Sequence, residues 1–406
     1  MLNREDHVVV VGAGLAGWRF IEALRREGYE GTITLIGDEP YAPYDRPPLS
    51  KQVVQGKWGV EKTTLASEEA MAGAQVSLRL GVSATDLDVA TKTVSLSDGS
   101  LIQGTHVVIA TGTRARRLPF SADEKLYTIR TRDDVVALDD KLSSLSEGAT
   151  VVVIGGGFIG AEAATALSTR GFTPIVLEAV SRPLVNVLGE EVSLWLADLA
   201  KDAAVELRNG QTIADVTVAS EGFAVNFANG EALACDAVIE GAGALVNTEW
   251  LASSGLAIDG GVHVDKDLIA VEGVAAIGDV ARFTWQSTTG VEDVRIEHWQ
   301  VANDHAAQLA HYWMTGEEPT APMIPYFWSE QYGKKIQMLG YPSPKDTVQM
   351  VAGSVEEGKW VALYNRDGIV NGVVTLSQPR ALMVSKVLLE SPTTVSQALE
   401  LQPWAS

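Results

Sequence analysis

The chain has 406 residues, too many for one small core, so two or three domains are expected. Its 46% hydrophobic and 20% charged residues fit an ordinary globular protein, and a formal net charge of −21 disfavours nucleic acid and anionic membranes as partners, since both repel an acidic surface. The single cysteine, Cys235, excludes an internal disulfide and with it any dithiol redox couple.

MLNRED runs into the first β-rich segment without a basic-then-apolar leader, and no stretch of about 20 uninterrupted apolar residues follows, so a cytoplasmic protein with no membrane partner is expected. HVVVVG (7–12) reads as a strand. Leu15, Phe20, Ile21 and Leu24 mark the apolar positions of a helix from Leu15 to Glu27, with Gly28 as its stop. TITLIGDE (32–39) is a second strand; short alternating segments split by SDGS follow, and THVVIATG (105–112) closes the set. The turn between first strand and helix is GAGLAG (12–17), a G-x-G-x-x-G. In it Gly12 permits a tight turn, Gly14 lets backbone approach a pyrophosphate, and Gly17 packs helix on strand. Asp38, beside Glu39, lies 21 residues past Gly17, where an acid is needed for ribose hydroxyls.

The same grammar returns 143 residues later: TVVVIG (150–155), a helix over 158–170, TPIVLEA (173–179), alternating segments, and CDAVIEGAG (235–243). Gly155, Gly157 and Gly160 repeat the turn, and Glu178 ends its second strand. A carboxylate there accepts hydrogen bonds from a free ribose and repels a 2′-phosphate, favouring NAD over NADP; Arg182, four residues on, is a cation that could instead pair a phosphate. Cys235 falls on a strand and reads as a small buried side chain.

GVAAIGDVARF (273–283) reads as one more strand of the first domain, ending in Gly-Asp and followed by a helix over 296–312. TGEEPTAPMIP (315–325) reads as a linker, and KIQMLGY (335–341), TVQMVAG (347–353), KWVALYN (359–365) and IVNGVVTL (369–376) as strands of a third domain. The expected architecture is α/β. Two Rossmann-like dinucleotide-binding domains, 1–118 with 245–320 for FAD and 119–244 for NAD, precede a C-terminal α+β domain, 321–406. The scattered histidines and lone cysteine give no metal-ligand spacing, and no G-x-S-x-G is present, so no metal is expected and electrons would pass between FAD and NADH.

Six further motifs are more specific: PYDRPPLSK (43–51), ATGTRARRLP (110–119), GGGFIGAE (155–162), AIGDVA (276–281), EHWQVA (297–302) and PYFWSEQYGKKIQMLG (325–340). Through them nearly the whole chain resembles the FAD-dependent ferredoxin reductases of bacterial oxygenase systems, with apoptosis-inducing factor a more distant relative. The resemblance implies a flavin site lined by Arg46, Lys51, Thr111, Gly112, Arg130, Asp279, Trp299 and Trp328. It also implies a Lys51–Glu162 pair near the flavin, Trp328 packed near its ring, and Phe158 covering the nicotinamide pocket. Lys51, Glu162, Trp328 and Phe158 are therefore the expected catalytic set. Two positions depart from the family pattern: Val246 stands where proline is common, and His305 where glutamine is usual; His305 reads as a surface helix histidine.

The resemblance further implies an NADH-dependent reductase passing electrons singly to a [2Fe–2S] ferredoxin that supplies an oxygenase such as a cytochrome P450. Rubredoxin is an alternative acceptor. An NADH-gated binding flavoprotein with slow turnover is the competing class, disfavoured because the chain has no targeting leader and no long C-terminal insertion. An NADH oxidase would need a cysteine redox centre that Cys235 does not supply. Because ferredoxins are acidic and this chain carries −21, docking requires a local basic patch, for which Arg114, Arg116, Arg117, Lys334, Lys335 and Arg380 are the candidates.

Overall fold

The computed structural model describes residues 1–120, 122, 125–318 and 323–405; of the expected linker, residues 319–322 lie outside the described residues. By internal contacts the chain divides into two compact units. One is Met1–Asp45 with Thr64–Arg114 and Val246–Phe327; the other is Arg46–Thr63 with Ala115–Leu245 and Trp328–Ser406.

The first unit is built on a six-stranded sheet in the order Ile269–Val271, Val274–Ala276, His106–Ile109, His7–Val11, Thr32–Gly37, Val76–Leu80. All neighbours are parallel except the first pair. Val8 to Val11 are buried, which is why this strand reads as an unbroken apolar run and not an alternating one. The order reverses between His7–Val11 and His106–Ile109, so the crevice at the carboxyl ends of these two strands is the ligand position of such a sheet.

The run 273–283 joins this sheet as expected, through Val274–Ala276 beside Val107–Ile109, and its strand ends just before Gly278-Asp279. Gly278, at φ +70°, turns the chain through the 3₁₀ segment Gly278–Val280. Ala281–Ser287 then forms a separate small sheet with Val262–Val264 and Gly290–Val294. The helix expected over 296–312 runs from Trp299 to Thr315, with Gly316 in the left-handed conformation as its stop.

The second unit repeats the design. Its parallel sheet has the order Glu206–Arg208, Thr173–Leu177, Thr150–Ile154, Ala237–Glu240, reversing between the last two. Antiparallel strands Ile213–Val218, Phe223–Phe227 and Ala232–Cys235 pack Val216, Phe223, Val225 and Phe227 against Val152, Ile154 and Val238. Cys235 belongs to this cluster; burial pushes its thiol up to about 12, so it carries no thiolate at neutral pH.

From Trp328 onward the same unit holds a five-stranded antiparallel sheet, ordered Tyr326–Gln331, Lys334–Gly340, Ile369–Leu376, Lys359–Arg366, Thr347–Ser354. It also contains the RPPLSK segment, in which Leu49–Val53 is a π-helical turn: Val53 N–H donates to Pro48 O at 3.1 Å and Val54 N–H to Leu49 O at 3.4 Å. Single π-turns gather at functional sites, because the extra residue re-aims a side chain. Ser50 and Lys51 lie in this turn.

Candidate functional site

The two glycine turns are superimposable in their chemistry. A Cβ on Gly12 would stand 2.2 Å from the Ala110 carbonyl oxygen, and on Gly155 2.4 Å from that of Gly241; both glycines have positive φ, +120° and +103°. A Cβ on Gly17 would lie 2.1 Å from Gly12 O, and on Gly160 2.0 Å from Gly155 O. These four glycines are required by the fold. The middle glycines are not: a Cβ on Gly14 or on Gly157 would meet nothing within 4 Å. Each also has extended backbone, φ −91° and φ −68°, that any residue adopts. Gly14 and Gly157 cap helices Leu15–Arg26 and Phe158–Thr169 with no side-chain cap, leaving N–H groups directed at that open space. The residues present thus fit two dinucleotide pyrophosphates.

Within the first unit, Asp38 follows the second strand, is exposed, and accepts the Glu39 N–H at 3.0 Å, while Glu39 accepts the Tyr44 hydroxyl at 2.6 Å. Thr111 and Gly112 are clamped by a residue not singled out from sequence, Asn247. Its amide donates to Thr111 O (2.9 Å), its N–H to Gly112 O (3.0 Å), and its carbonyl accepts Thr111 Oγ1 (2.8 Å). Asp279 accepts Thr113 Oγ1 at 3.4 Å and, through its carbonyl, Arg295 Nη1 at 3.1 Å. Trp299 Nε1 donates to Asp45 at 2.7 Å.

His305 corrects the surface reading. It is 1% exposed, packs edge-to-face on Phe283 at 4.5 Å, and accepts the Gly278 N–H on Nδ1 at 3.2 Å. Burial pushes its imidazole down from 6.5 to about 3, and that of His298, the helix cap, to about 4 against the opposing pull of Asp279. Below pH 6.5 the unfolded chain takes up these protons and the folded chain does not. The stability they contribute is therefore complete above pH 6.5 and is lost as pH falls through about 4 for His298 and about 3 for His305. The unfolding midpoint should fall steadily over that window, and His305→Gln should flatten its lower part; an identical pH profile in the variant contradicts this.

Within the second unit, Glu162 is a buried carboxylate with four donors. Oε2 accepts Lys51 Nζ at 2.7 Å and Ser50 Oγ at 2.6 Å; Oε1 accepts Ser329 Oγ at 2.7 Å and the Glu330 N–H at 3.2 Å. Three segments distant in sequence meet at this group: the π-turn, the helix after the second glycine turn, and the FWSEQY strand. Because side chains alternate along a strand, buried Ser329 faces Glu162 and half-buried Trp328 faces the other way. Phe158 opens the same helix that carries Glu162. Arg46 precedes the π-turn, its carbonyl accepting Leu49 N–H at 2.9 Å. Arg130 precedes the capping box of helix Arg132–Ser143, its N–H donating to Asp134 at 3.0 Å.

Glu178 is tied to the second glycine turn: its carboxylate accepts Gly156 N–H at 2.8 Å and Val180 N–H at 3.1 Å. Arg182 is engaged by Glu190. Of the candidate docking cations, Arg114 is paired with Glu249 at 2.5 Å and Arg117 with buried Glu240 at 3.1 Å. Arg116, Lys334, Lys335 and Arg380 carry no ion pair among the described residues. Among those residues no group of three or more His, Cys, Asp or Glu is placed to hold a metal, and no helix is long and apolar enough to cross a membrane.

Known proteins share this arrangement. Residues 6–306 match the family described as Pyridine nucleotide-disulphide oxidoreductase, and residues 326–404 match Reductase C-terminal. Rhodocoxin reductase of Rhodococcus erythropolis is 34% identical over 97% of this chain and 92% of its own. The benzene 1,2-dioxygenase system ferredoxin–NAD(+) reductase subunit of Pseudomonas putida is 34% identical over 96% and 94%. The solved covalent putidaredoxin reductase–putidaredoxin complex contains a chain similar with a TM-score of 0.91 at 30% identity, over 99% of both.

A duplicated dinucleotide fold followed by that C-terminal domain places the chain in the pyridine nucleotide-disulphide oxidoreductase family, although its one cysteine forms no disulfide within the chain. Within that family of flavoprotein electron-transfer oxidoreductases it is homologous to the putidaredoxin, rhodocoxin and dioxygenase ferredoxin reductases, and membership implies FAD and a nicotinamide dinucleotide as cofactors.

Proposed function

We propose that the chain is an NADH-dependent ferredoxin reductase, with FAD on the Gly12–Gly17 turn of residues 1–118 and 245–320, and NADH on the Gly155–Gly160 turn of residues 119–244. The observation that carries this reading is the pair of open positions at Gly14 and Gly157, each at the N-terminus of the helix behind a steric Gly turn, where a pyrophosphate approaching the backbone would need the side chain absent. Bound at the Gly12–Gly17 turn, FAD would supply hydride acceptance from NADH and one-electron donation, which would match a two-electron donor to a one-electron acceptor.

The chain's own residues hold and bias that chemistry. Lys51, fixed by Glu162, supplies a positive charge that favours a reduced flavin. Asp38 and Glu178 take ribose hydroxyls, Arg46, Thr111, Gly112, Arg130, Asp279 and Trp299 hold FAD, and Trp328 and Phe158 shield the rings from water. The acceptor is a [2Fe–2S] ferredoxin serving an oxygenase such as a cytochrome P450. The names of the relatives support it: several are reductases of dioxygenase systems, and one was solved joined to putidaredoxin. Anaerobic mixing with NADH should bleach the flavin absorption, and oxidised ferredoxin added next should restore it; a flavin that stays reduced sinks the reading.

Glu178 selects NADH, and the Arg182–Glu190 pair keeps the nearby cation occupied. A like charge against a 2′-phosphate costs on the order of 1 kcal/mol or more. Glu178→Gln should therefore raise the NADPH/NADH ratio of kcat/KM about tenfold or more; an unchanged ratio removes Glu178 from the selection. Lys334 and Lys335 are proposed to meet the ferredoxin. Charge reversal at both should slow ferredoxin reduction while NADH–ferricyanide turnover stays at the wild-type rate, and unaffected ferredoxin turnover removes them from the interface.

A further inference from the structure

Buried His305 is a departure from the family pattern that the proposed chemistry does not use. Helix Trp299–Thr315 turns two residues, Ala302 and His305, toward the Gly278 turn, as a spacing of three allows. The turn is tightly held there. A Cβ on Gly278 would stand 2.9 Å from the Ala16 side chain, at the start of the helix behind the first glycine turn, and 3.7 Å from that of Ala302. The Gly278 N–H is buried and donates to His305 Nδ1 at 3.2 Å.

That bond fixes the tautomer. Nδ1 accepts, so the proton is on Nε2, and this buried Nε2 has no hydrogen-bond partner among the described residues. A leucine of similar size would remove that unpaired N–H but would strand the buried Gly278 N–H in its place. The stability of the core alone does not explain a histidine here; the acceptor it offers to Gly278 does. The residue after Gly278 is Asp279, and nothing lies between them along the chain but one peptide bond.

We propose that His305 is a positioning residue for FAD: as a neutral acceptor it fixes the Gly278–Asp279 turn, and through it the Asp279 carboxylate that holds the cofactor's ribityl chain. The inference rests on the reading of Asp279 as a FAD ligand. It assigns to His305 the role that an amide oxygen could equally fill, which is consistent with a glutamine at this place in the family pattern.

The test compares flavin release from the purified holoprotein in mild urea, followed by flavin fluorescence, in wild type, His305→Gln, His305→Leu, His305→Met and Asp279→Ala. Visible circular dichroism of the bound flavin is recorded alongside. The acceptor-free Leu and Met variants strand the Gly278 N–H and should release FAD about tenfold faster, with an altered flavin dichroism. His305→Gln should restore both to near wild type, whatever its melting temperature. Two results overturn the inference while leaving the FAD reading intact: Leu and Met variants that release FAD at the wild-type rate although Asp279→Ala releases it fast, or a Gln variant as impaired as Leu. Unchanged release from Asp279→Ala overturns both together.

Discussion

Replacing Glu162 by alanine should destabilise the unit that contains it by about 3–5 kcal/mol, the cost of leaving a buried charge without its partner. The carboxylate is 4% exposed and the Lys51 side chain 11%. Removing Glu162 strands an ammonium whose other contact is the Pro47 carbonyl at 3.3 Å, together with the Ser50 and Ser329 hydroxyls and the Glu330 N–H. The pair itself contributes far less than this loss suggests. Desolvating two charges offsets most of their attraction, and apolar replacements of similar volume are often neutral or better. Lys51→Met with Glu162→Leu should accordingly recover most of the stability lost in Glu162→Ala, while reductase activity stays impaired. Urea unfolding of wild type, Glu162→Ala, the single variants Lys51→Met and Glu162→Leu, and their double variant, at one cofactor concentration, reads the difference. A loss below about 1 kcal/mol in Glu162→Ala, or a double variant as unstable as the sum of the singles, contradicts this account.

The second large effect separates folding from binding at the glycine turns. Gly157→Ala should fold and keep FAD but lower kcat/KM for NADH about 10²-fold, the scale of a misplacement of about 1 Å at a reacting substrate. Gly14→Ala should fold and fail to retain FAD. Neither alanine meets a protein atom within 4 Å, and both backbones are extended, so the apo forms should be unharmed or slightly stabilised. Gly160→Ala is the contrast: its Cβ would lie 2.0 Å from Gly155 O, and the helix must move off the strand to admit it. Normal NADH kinetics in Gly157→Ala would mean that no pyrophosphate passes there.

The glycine turns were legible because their signal is local: strand, turn and helix lie within about 20 residues and each glycine has its own steric reason. The antiparallel strands near the C-terminus were legible for the same reason, with alternation and turn residues close at hand. The Lys51–Glu162 pair was not local, since 111 residues separate the partners, and only the resemblance of RPPLSK and GGGFIGAE to a family joined them. Ser50, Ser329 and Asn247 had no signal of their own beyond lying inside or beside such motifs, because the hydrogen bonds that give them a role come from segments more than 100 residues away.

His305 shows the opposite failure, a local signal that was passed over. Ala302, Ala306, Leu309, Ala310 and Trp313 form the buried stripe of its helix, and residue 305 falls on that stripe by the same three-and-four spacing. A polar side chain at an apolar-stripe position asks for a buried partner, and Gly278 supplies it. The strand expected to end in Gly-Asp does end there, and the glycine of that turn is the donor that His305 accepts.

The most direct measurement of the central claim is NADH oxidation by the purified flavoprotein, coupled to cytochrome c, with and without a [2Fe–2S] ferredoxin. Strong stimulation by the ferredoxin with NADH and weak turnover with NADPH are expected. No stimulation by any ferredoxin, with a long-lived complex of reduced flavin and NAD, would contradict that claim and leave an NADH-gated binding protein in its place.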